Sequence, residues 1–299
     1  MSTVEFVQAF VPQAPLSALV LSFLLYSFAG WLWESTACGL MNRGHFVNSG
    51  FLLGPVCPVY GTGAVACWLA LRDIDQVPAL FVASGCLACG IEYLVSLALE
   101  HITGARFWNY EEKPLNINGR VCLYGFLFFG AGATLVCRVV QPWVNGLLGQ
   151  VPGGVLRVVA CALVALLAAD LVFAMASWRR LSTRLEELRC EISLVLDDQM
   201  AEASERMIDR LPDEVVGRAS EAYVRAKAVS DGVVTRLAER VSVPRAPSWL
   251  STRAERLVGQ LGKRDLRFFN AFPRMRFARY DEAISRVRLR DRVRELFDR

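Results

Sequence analysis

The sequence predicts an all-α fold: a polytopic membrane helical bundle of about five transmembrane helices, followed by a soluble helical C-terminal tail. Hydrophobic residues make up 54% of the 299 residues and the mean hydropathy is +0.34, more than one water-soluble core of this length needs. Residues 1–178 hold seven Lys/Arg and nine Asp/Glu, whereas residues 179–299 hold 26 and 20. This change predicts a transmembrane domain over 1–178 and a cytoplasmic, basic tail over 179–299.

Five apolar stretches are close to the roughly 20 residues that a helix needs to cross a bilayer core. Trp143 and Trp178 lie near span ends, where aromatic rings often meet lipid headgroups. Because Lys and Arg are concentrated after Trp178, the positive-inside rule places the N-terminus outside and the tail in the cytoplasm. The predicted spans, of which the second is short, cover residues 16–40, 56–72, 78–100, 120–141 and 155–178.

The segment 42–63 departs from a plain span because it contains five glycines together with Pro55 and Pro58. Such a composition resists a continuous helix. Non-helical backbone at membrane depth survives where it is buried in protein or lines a wet cavity. The segment is therefore interpreted either as a cavity lining or as a loop that kinks into the short second span.

Four polar residues are expected in one layer of the bundle, in the half that faces the tail. Glu34 and Glu92 lie about 10 and 12 Å from the tail-side ends of their spans, at roughly 1.5 Å per residue. Tyr60 and Arg120 begin the neighbouring spans from the same side. A charge near the bilayer centre costs at least about 2.5 kcal/mol, so such groups pair or function.

Two interpretations of this layer follow. In the first, Arg120 neutralises Glu34 or Glu92 in a polar cavity, and the other carboxylate and Tyr60 bind a ligand or carry a proton. In the second, the residues form a closed ion pair that holds helices together. Asp170 stands alone in the fifth span and is expected to reach the interface.

The loop 101–119 contains Trp108, Tyr110 and Asn118 together with further amide side chains. Aromatic rings and amides can bind a lipid headgroup, but they equally form an amphipathic cap at the interface. The CxxC formed by Cys86 and Cys89 lies among small residues and is interpreted as helix packing.

Leucines and isoleucines recur at helical spacing after the fifth span, which predicts one long stripe. The stripe suits a coiled coil or packing onto later helices of the tail. Pro212 ends it, residues 213–240 are interpreted as a second helix and 243–248 as a linker. The stripe consists of Leu181, Leu185, Leu188, Ile192 and Leu196, and continues through Met200, Ala203, Met207 and Leu211.

From Lys263 onward, twelve Lys/Arg and six Asp/Glu are interleaved with phenylalanines. This pattern suits an anionic lipid leaflet, where each surface cation contributes on the order of 1 kcal/mol. A solvated face or a protein partner is the alternative, and no nucleic acid is expected. The phenylalanines are Phe268, Phe269, Phe272 and Phe277.

Over residues 20–142 the chain resembles the bacterial membrane proteins named putative ABC transporter permease, type IV (CmpB-like). The tail motif 271–273 is also similar, and Asn109 stands where related sequences tend to be acidic, which argues against a catalytic carboxylate there. The residues that carry the resemblance are Tyr26, Ser27, Phe28, Gly30, Trp31, Glu34, Asn42, Arg43, Gly44, Gly50, Phe51, Leu52, Gly54, Pro55, Pro58, Tyr60, Gly61, Glu92, Tyr93, Glu100, Trp108, Tyr110, Asn118, Gly119, Arg120, Cys122 and Leu123.

The resemblance implies a transport component of the bacterial plasma membrane for a small molecule or a lipid-like substrate. The chain has no Walker A pattern, so any ATP hydrolysis requires a separate subunit, and five spans suggest a homodimer or a second membrane subunit. A scaffold whose tail recruits partners and an enzyme acting on lipid headgroups are the alternatives. No catalytic residue, metal site or cofactor is predicted. The predicted substrate-binding residues are Glu34, Tyr60, Glu92, Trp108, Tyr110, Asn118 and Arg120.

We expect single cysteines introduced at Ser2 and Ser248 to react with a membrane-impermeant thiol reagent from opposite sides of the membrane. The asymmetric distribution of Lys and Arg is the reason. Labelling of both positions in intact cells, or of neither until the cells are opened, would contradict the predicted orientation.

Overall fold

The computed structural model of the protein describes residues 16–43, 45–208, 256, 259, 261–277, 280–286 and 288–298. Helices dominate this part of the chain, and one two-stranded antiparallel sheet accompanies them. The elements are α1 (Leu16–Trp33), a π-helical turn (Glu34–Cys38), α2 (Gly39–Arg43), α3 (Pro58–Leu71), α4 (Val77–Thr103), β1 (Ala105–Arg106), α5 (Leu123–Leu135), a π-helical turn (Val136–Val140), α6 (Gln141–Leu148), α7 (Gly153–Ile208), α8 (Lys263–Ala271), β2 (Arg276–Phe277), α9 (Asp281–Arg286) and α10 (Leu289–Asp298).

The membrane bundle agrees with the predicted fold class. Four stretches among the described residues are long and apolar enough to cross a membrane, and α3 is a fifth, shorter apolar helix. Two prolines begin helices, Pro58 in α3 and Pro78 in α4, where a missing N–H has no helical partner to lose. The four long stretches are Leu16–Met41, Val77–Thr103, Leu123–Leu148 and Gly153–Leu194.

Helix α3 is too short to cross a bilayer alone, because 14 residues span only about 21 Å. The non-helical residues 45–57 precede it, and several of their backbone N–H groups donate to other parts of the protein. Val47 donates to the carbonyl of Ser35 at 3.2 Å, and Cys57 donates to the carbonyl of Ser27 at 2.9 Å. Irregular backbone can persist here because the protein itself supplies its hydrogen bonds.

Two charged side chains form hydrogen bonds with the backbone in the middle of this segment. The Asp170 carboxylate on α7 accepts the N–H groups of Leu53 and Gly54, each at 2.8 Å. The Arg267 guanidinium on α8 donates to the carbonyls of residues 50–52, at 3.3 Å for residue 50 and 2.8 Å for residue 52. Asp170 is therefore not a lone carboxylate reaching the interface, because the loop supplies its partners.

The tail helices form a core with the end of the fifth span. Leu181, Leu185, Leu188 and Ile192 are buried against α8, α9 and α10. Of the two interpretations of the leucine stripe, packing onto the tail's own later helices therefore applies up to Ile192. The side chains from residue 195 to 208, and the predicted helix and linker over 213–248, lie outside the described part.

The aromatic residues of the tail face inward, which corrects two expectations. Phe268, Phe269 and Phe277 are buried, and Phe272 packs beside them, so these rings are unavailable to a lipid leaflet. Trp178 is also buried, 5.1 Å from Phe268 between ring centroids, and does not sit in a headgroup belt. Apolar burial within the protein outweighs interfacial exposure for these rings.

The tail meets the loops of the bundle on one side. Strand β1, which follows α4, pairs with β2 of the tail, aligning Ala105 with Phe277. Phe107 in the same loop packs against Trp178 in a tilted arrangement, with ring centroids 5.1 Å apart. Loop 45–57, loop 104–122 and the tail thus lie on the same side of the bundle. This agrees with five membrane crossings, because the three segments follow the first, third and fifth predicted spans. The absolute orientation stays a prediction, as does a domain boundary at residue 178.

Replacing Arg267 by Ala should weaken tail docking by about 2–3 kcal/mol, because three buried carbonyls lose a charged donor. Burial lowers the pKa of Arg267 to about 10, so the group is still charged at pH 7. Thermal unfolding of the full-length protein, followed by tryptophan fluorescence, measures the loss. Arg264→Ala, an exposed position on the same helix, is the matched control. Equal melting of the two variants would contradict the assignment.

Candidate functional site

A cavity of about 1430 Å³ opens between the membrane helices and the tail. Its walls come from the π-helical turn after α1, loop 45–57, the start of α3, the second half of α4, loop 104–122 and helices α8 and α10. The side chains Leu167 and Leu171 of α7 and Phe129 of α5 complete an apolar wall. A volume larger than the roughly 300–1,000 Å³ of typical ligand pockets leaves room for a ligand with a long apolar part.

Glu34 is held at the inner end of this cavity by Tyr60. The π-helical turn that begins at Glu34 interrupts α1, and the Tyr60 hydroxyl donates to Glu34 Oε1 at 2.5 Å. Gly30 lies one turn earlier, and a Cβ there would overlap the Tyr60 ring. A Cβ on Gly61 would likewise overlap the backbone of Phe23. Two glycines thus let α3 approach α1 closely enough for the bond to form.

Glu92 forms a second carboxylate and tyrosine pair in the same cavity. The Tyr110 hydroxyl donates to Glu92 Oε1 at 3.3 Å, and Glu92 is 6% exposed. Burial, with the Glu92 carboxylate beside it, raises the pKa of the Tyr110 phenol well above its usual range, so Tyr110 remains a donor. Glu34 and Glu92 are close enough to interact electrostatically. Both carboxyls therefore belong to one site.

The tail contributes basic side chains to the cavity. Arg274, Arg290 and Arg294 of the tail line it. Arg290 is engaged, since it donates to the carbonyl of Met275 at 2.5 Å and pairs with Asp281 at 3.1 Å. Arg274 and Arg294 are exposed. The sequence identified the tail as basic but gave no signal that three of its arginines border a site in the bundle.

Arg120 does not neutralise Glu34 or Glu92, as the sequence predicted. Its guanidinium donates to Ser96 at 2.9 Å, one turn beyond Glu92 on α4, and pairs with Glu100 at 2.7 Å, two turns beyond Glu92. Arg106 shares the same Glu100 oxygen at 3.2 Å. Because Glu100 is near the helix end and already surrounded by arginines, it is the better electrostatic partner than a deeper carboxylate.

The seven predicted binding residues divide between two places. Glu34, Tyr60, Glu92, Trp108 and Tyr110 line the large cavity. The remaining two, Asn118 and Arg120, line a shallow adjacent pocket with Tyr93 and Arg106. That any of them binds a substrate stays a prediction.

The loop 104–122 is a folded unit that joins the two places. Trp108 Nε1 donates to the carbonyl of Arg120 at 3.0 Å, and the backbone N–H of Tyr110 donates to Gly119 at 2.7 Å. Asn118 donates to the Tyr93 hydroxyl at 3.0 Å. The amides that suggested headgroup binding are in this way occupied within the protein.

A second polar cluster lies between α1 and α6, and sequence reasoning missed it. Tyr26 donates to Gln141 Oε1 at 2.7 Å, and Gln141 Nε2 donates to Ser22 at 3.0 Å and to Asn145 at 2.8 Å. Gln141 ends the fourth predicted span and carries no charge, so the sequence offered no signal for it. Because each polar atom named here has a partner, the cluster is a packing contact.

Apolar helices that surround a cavity with buried carboxylates define a helical protein of the membrane. Residues 21–175, just over half of the chain, match the family described as putative ABC-transporter type IV, and the chain belongs to this family. Neither the curated proteins nor the solved structures include a match to the chain.

Arg120→Met should destabilise the protein by about 2–4 kcal/mol, because it leaves Glu100 with only Arg106 and removes a buried donor. Adding Glu100→Gln should recover part of the loss, whereas adding Glu92→Gln should not. Denaturant unfolding in mixed micelles measures the coupling, and Glu112→Gln, an exposed carboxylate of the same loop, is the control. Rescue by Glu92→Gln would contradict the pairing of Arg120 with Glu100 and support the pairing with Glu92 that the sequence predicted.

Proposed function

We propose that the protein is the permease component of a transport system and that a small, lipid-like substrate binds in the cavity. The observation that carries the proposal is the cavity itself. It extends from Glu34 and Glu92 between apolar helices to the arginines of the tail. Ionisable groups inside a membrane bundle are costly unless a pathway or a binding site uses them.

The lining of the cavity favours an amphiphile over a small polar solute. Val95, Leu99, Leu167 and Leu171 supply an aliphatic surface, and the carboxylates and arginines supply polar groups in the same cavity. A ligand with an apolar chain would bury that chain against these side chains, at roughly 25 cal/mol per Å² of apolar surface removed from water.

Passage through the bundle would need an energy source and further subunits. The chain lacks the glycine-rich loop and lysine of ATP-hydrolysing domains, so we assign ATP hydrolysis to a separate protein. A second copy or another membrane subunit would complete the pathway. We assign binding and passage, and no catalysis, to the cavity residues.

Cysteine protection in the full-length protein, reconstituted in lipid nanodiscs, tests the binding site. One variant keeps only Cys57, which lines the cavity, and a second keeps only Cys161, an exposed position on α7 outside it. A single-chain phospholipid should slow alkylation of Cys57 at least threefold with a saturable concentration dependence, because the bound chain blocks access. Alkylation of Cys161 should not change.

A variant that fills the cavity sharpens the result. Val95→Trp should abolish the protection of Cys57, whereas Val82→Trp, at an exposed position of the same helix, should preserve it. Equal slowing at Cys57 and Cys161, or protection that survives Val95→Trp, would contradict binding in the cavity.

A further inference from the structure

We infer that the cavity recognises a cationic nitrogen, so that its substrate is an amphiphile carrying an ammonium group. The inference rests on the proposed binding function and names the chemistry of the ligand. It comes from the separation of charge along the cavity. Both carboxylates come from membrane helices, while the arginines come from the tail. The bundle therefore supplies the acidic groups of the cavity, and the tail supplies the basic ones.

One carboxylate oxygen of Glu92 is buried and accepts no hydrogen bond from the described residues. Its Oε1 accepts from Tyr110, but its Oε2 is buried and has no hydrogen-bond partner among the described residues. Arg120, which the sequence suggested as the cationic partner of Glu92, is paired with Glu100. A buried carboxylate with too few donors is costly, and a cation bound beside Glu92 in the cavity would reduce that cost electrostatically.

The second carboxylate reinforces the site. Glu34 interacts electrostatically with Glu92, and Tyr60 fixes its Oε1 at 2.5 Å. Burial and mutual proximity both disfavour the charged form of two neighbouring carboxylates, and a cation between them would stabilise that form. The two tyrosines orient the carboxylates without neutralising them, because a phenol donates a hydrogen bond and stays uncharged.

Aromatic rings at the same end favour an organic ammonium. Phe129 packs edge-to-face on Tyr60 with ring centroids 5.8 Å apart, and Trp108 and Tyr110 line the cavity nearby. Rings attract an ammonium through their negative faces, and they suit methylated nitrogen especially well. A bare divalent ion would instead need six or more oxygen ligands or retained water.

The ammonium could belong to a simple alkylamine or to a zwitterionic headgroup. Arg274 and Arg294 at the tail end would meet a phosphate in the second case. Both sources share the ammonium that the carboxylates bind, and matched probes with the same alkyl chain distinguish them.

The experiment measures protection of Cys57 in nanodiscs of neutral lipid by three tetradecyl probes. Their headgroups are trimethylammonium, phosphocholine and maltoside. We expect both ammonium probes to reach half-protection at a concentration at least tenfold below that of the maltoside. A stronger effect of phosphocholine would identify a zwitterion, and an equal effect an alkylammonium.

The variant Glu92→Gln should reduce the tenfold preference to less than about threefold while protection by the maltoside is unchanged, which shows that the cavity is intact. Glu112→Gln, outside the cavity, should retain the preference. If Glu92→Gln does not fold, Glu34→Gln takes its place with the same expectation.

The failures of the two proposals are distinguishable. Equal protection by all three probes, or a preference that survives both Glu92→Gln and Glu34→Gln, overturns the ammonium inference and leaves the binding cavity standing. No protection of Cys57 by any probe overturns both.

Discussion

A stretch of irregular backbone at the level of the membrane helices must have every polar group satisfied, and much of this structure follows from how that is achieved for residues 45–57. Asp170 accepts two of its N–H groups, and Arg267 donates to three of its carbonyls. Buried polar groups are costly to leave unpaired, so loss of either side chain would destabilise the loop. The span that carries Asp170 and the tail helix that carries Arg267 are therefore both parts of the bundle's own hydrogen bonding.

The tail is consequently packed against the bundle as part of the same structure. Its aromatic core takes in Phe51 and Phe107 from two bundle loops, and Trp178 from the end of the fifth span. The tail helices then supply one wall of the cavity, including its three arginines. A change in how the tail packs would alter the cavity directly, because α8 carries both Arg267, which binds loop 45–57, and Phe269, which lines the cavity.

The polar residues of the bundle separate into two kinds of site. Glu100, Arg106 and Arg120 neutralise one another at the tail side, so their charges are accounted for within the protein. Glu34 and Glu92 instead line the cavity, and among the described residues each accepts a hydrogen bond from a tyrosine hydroxyl. Membership of the family described as putative ABC-transporter type IV supports a transport role, and the binding site that we propose includes this pair.

The sequence by itself determined the helical membrane bundle, the approximate positions of its apolar helices and the helical stripe from Leu181 to Ile192, because hydropathy and 3.6-residue periodicity are local properties. It also identified Glu34, Tyr60 and Glu92, since ionisable groups in apolar spans are conspicuous. Only the tertiary structure decided that Arg120 pairs with Glu100, that Arg267 binds loop 45–57 and that the tail phenylalanines face inward. Those contacts join residues far apart in the chain, and which partner a charge or ring selects depends on packing that no local pattern encodes.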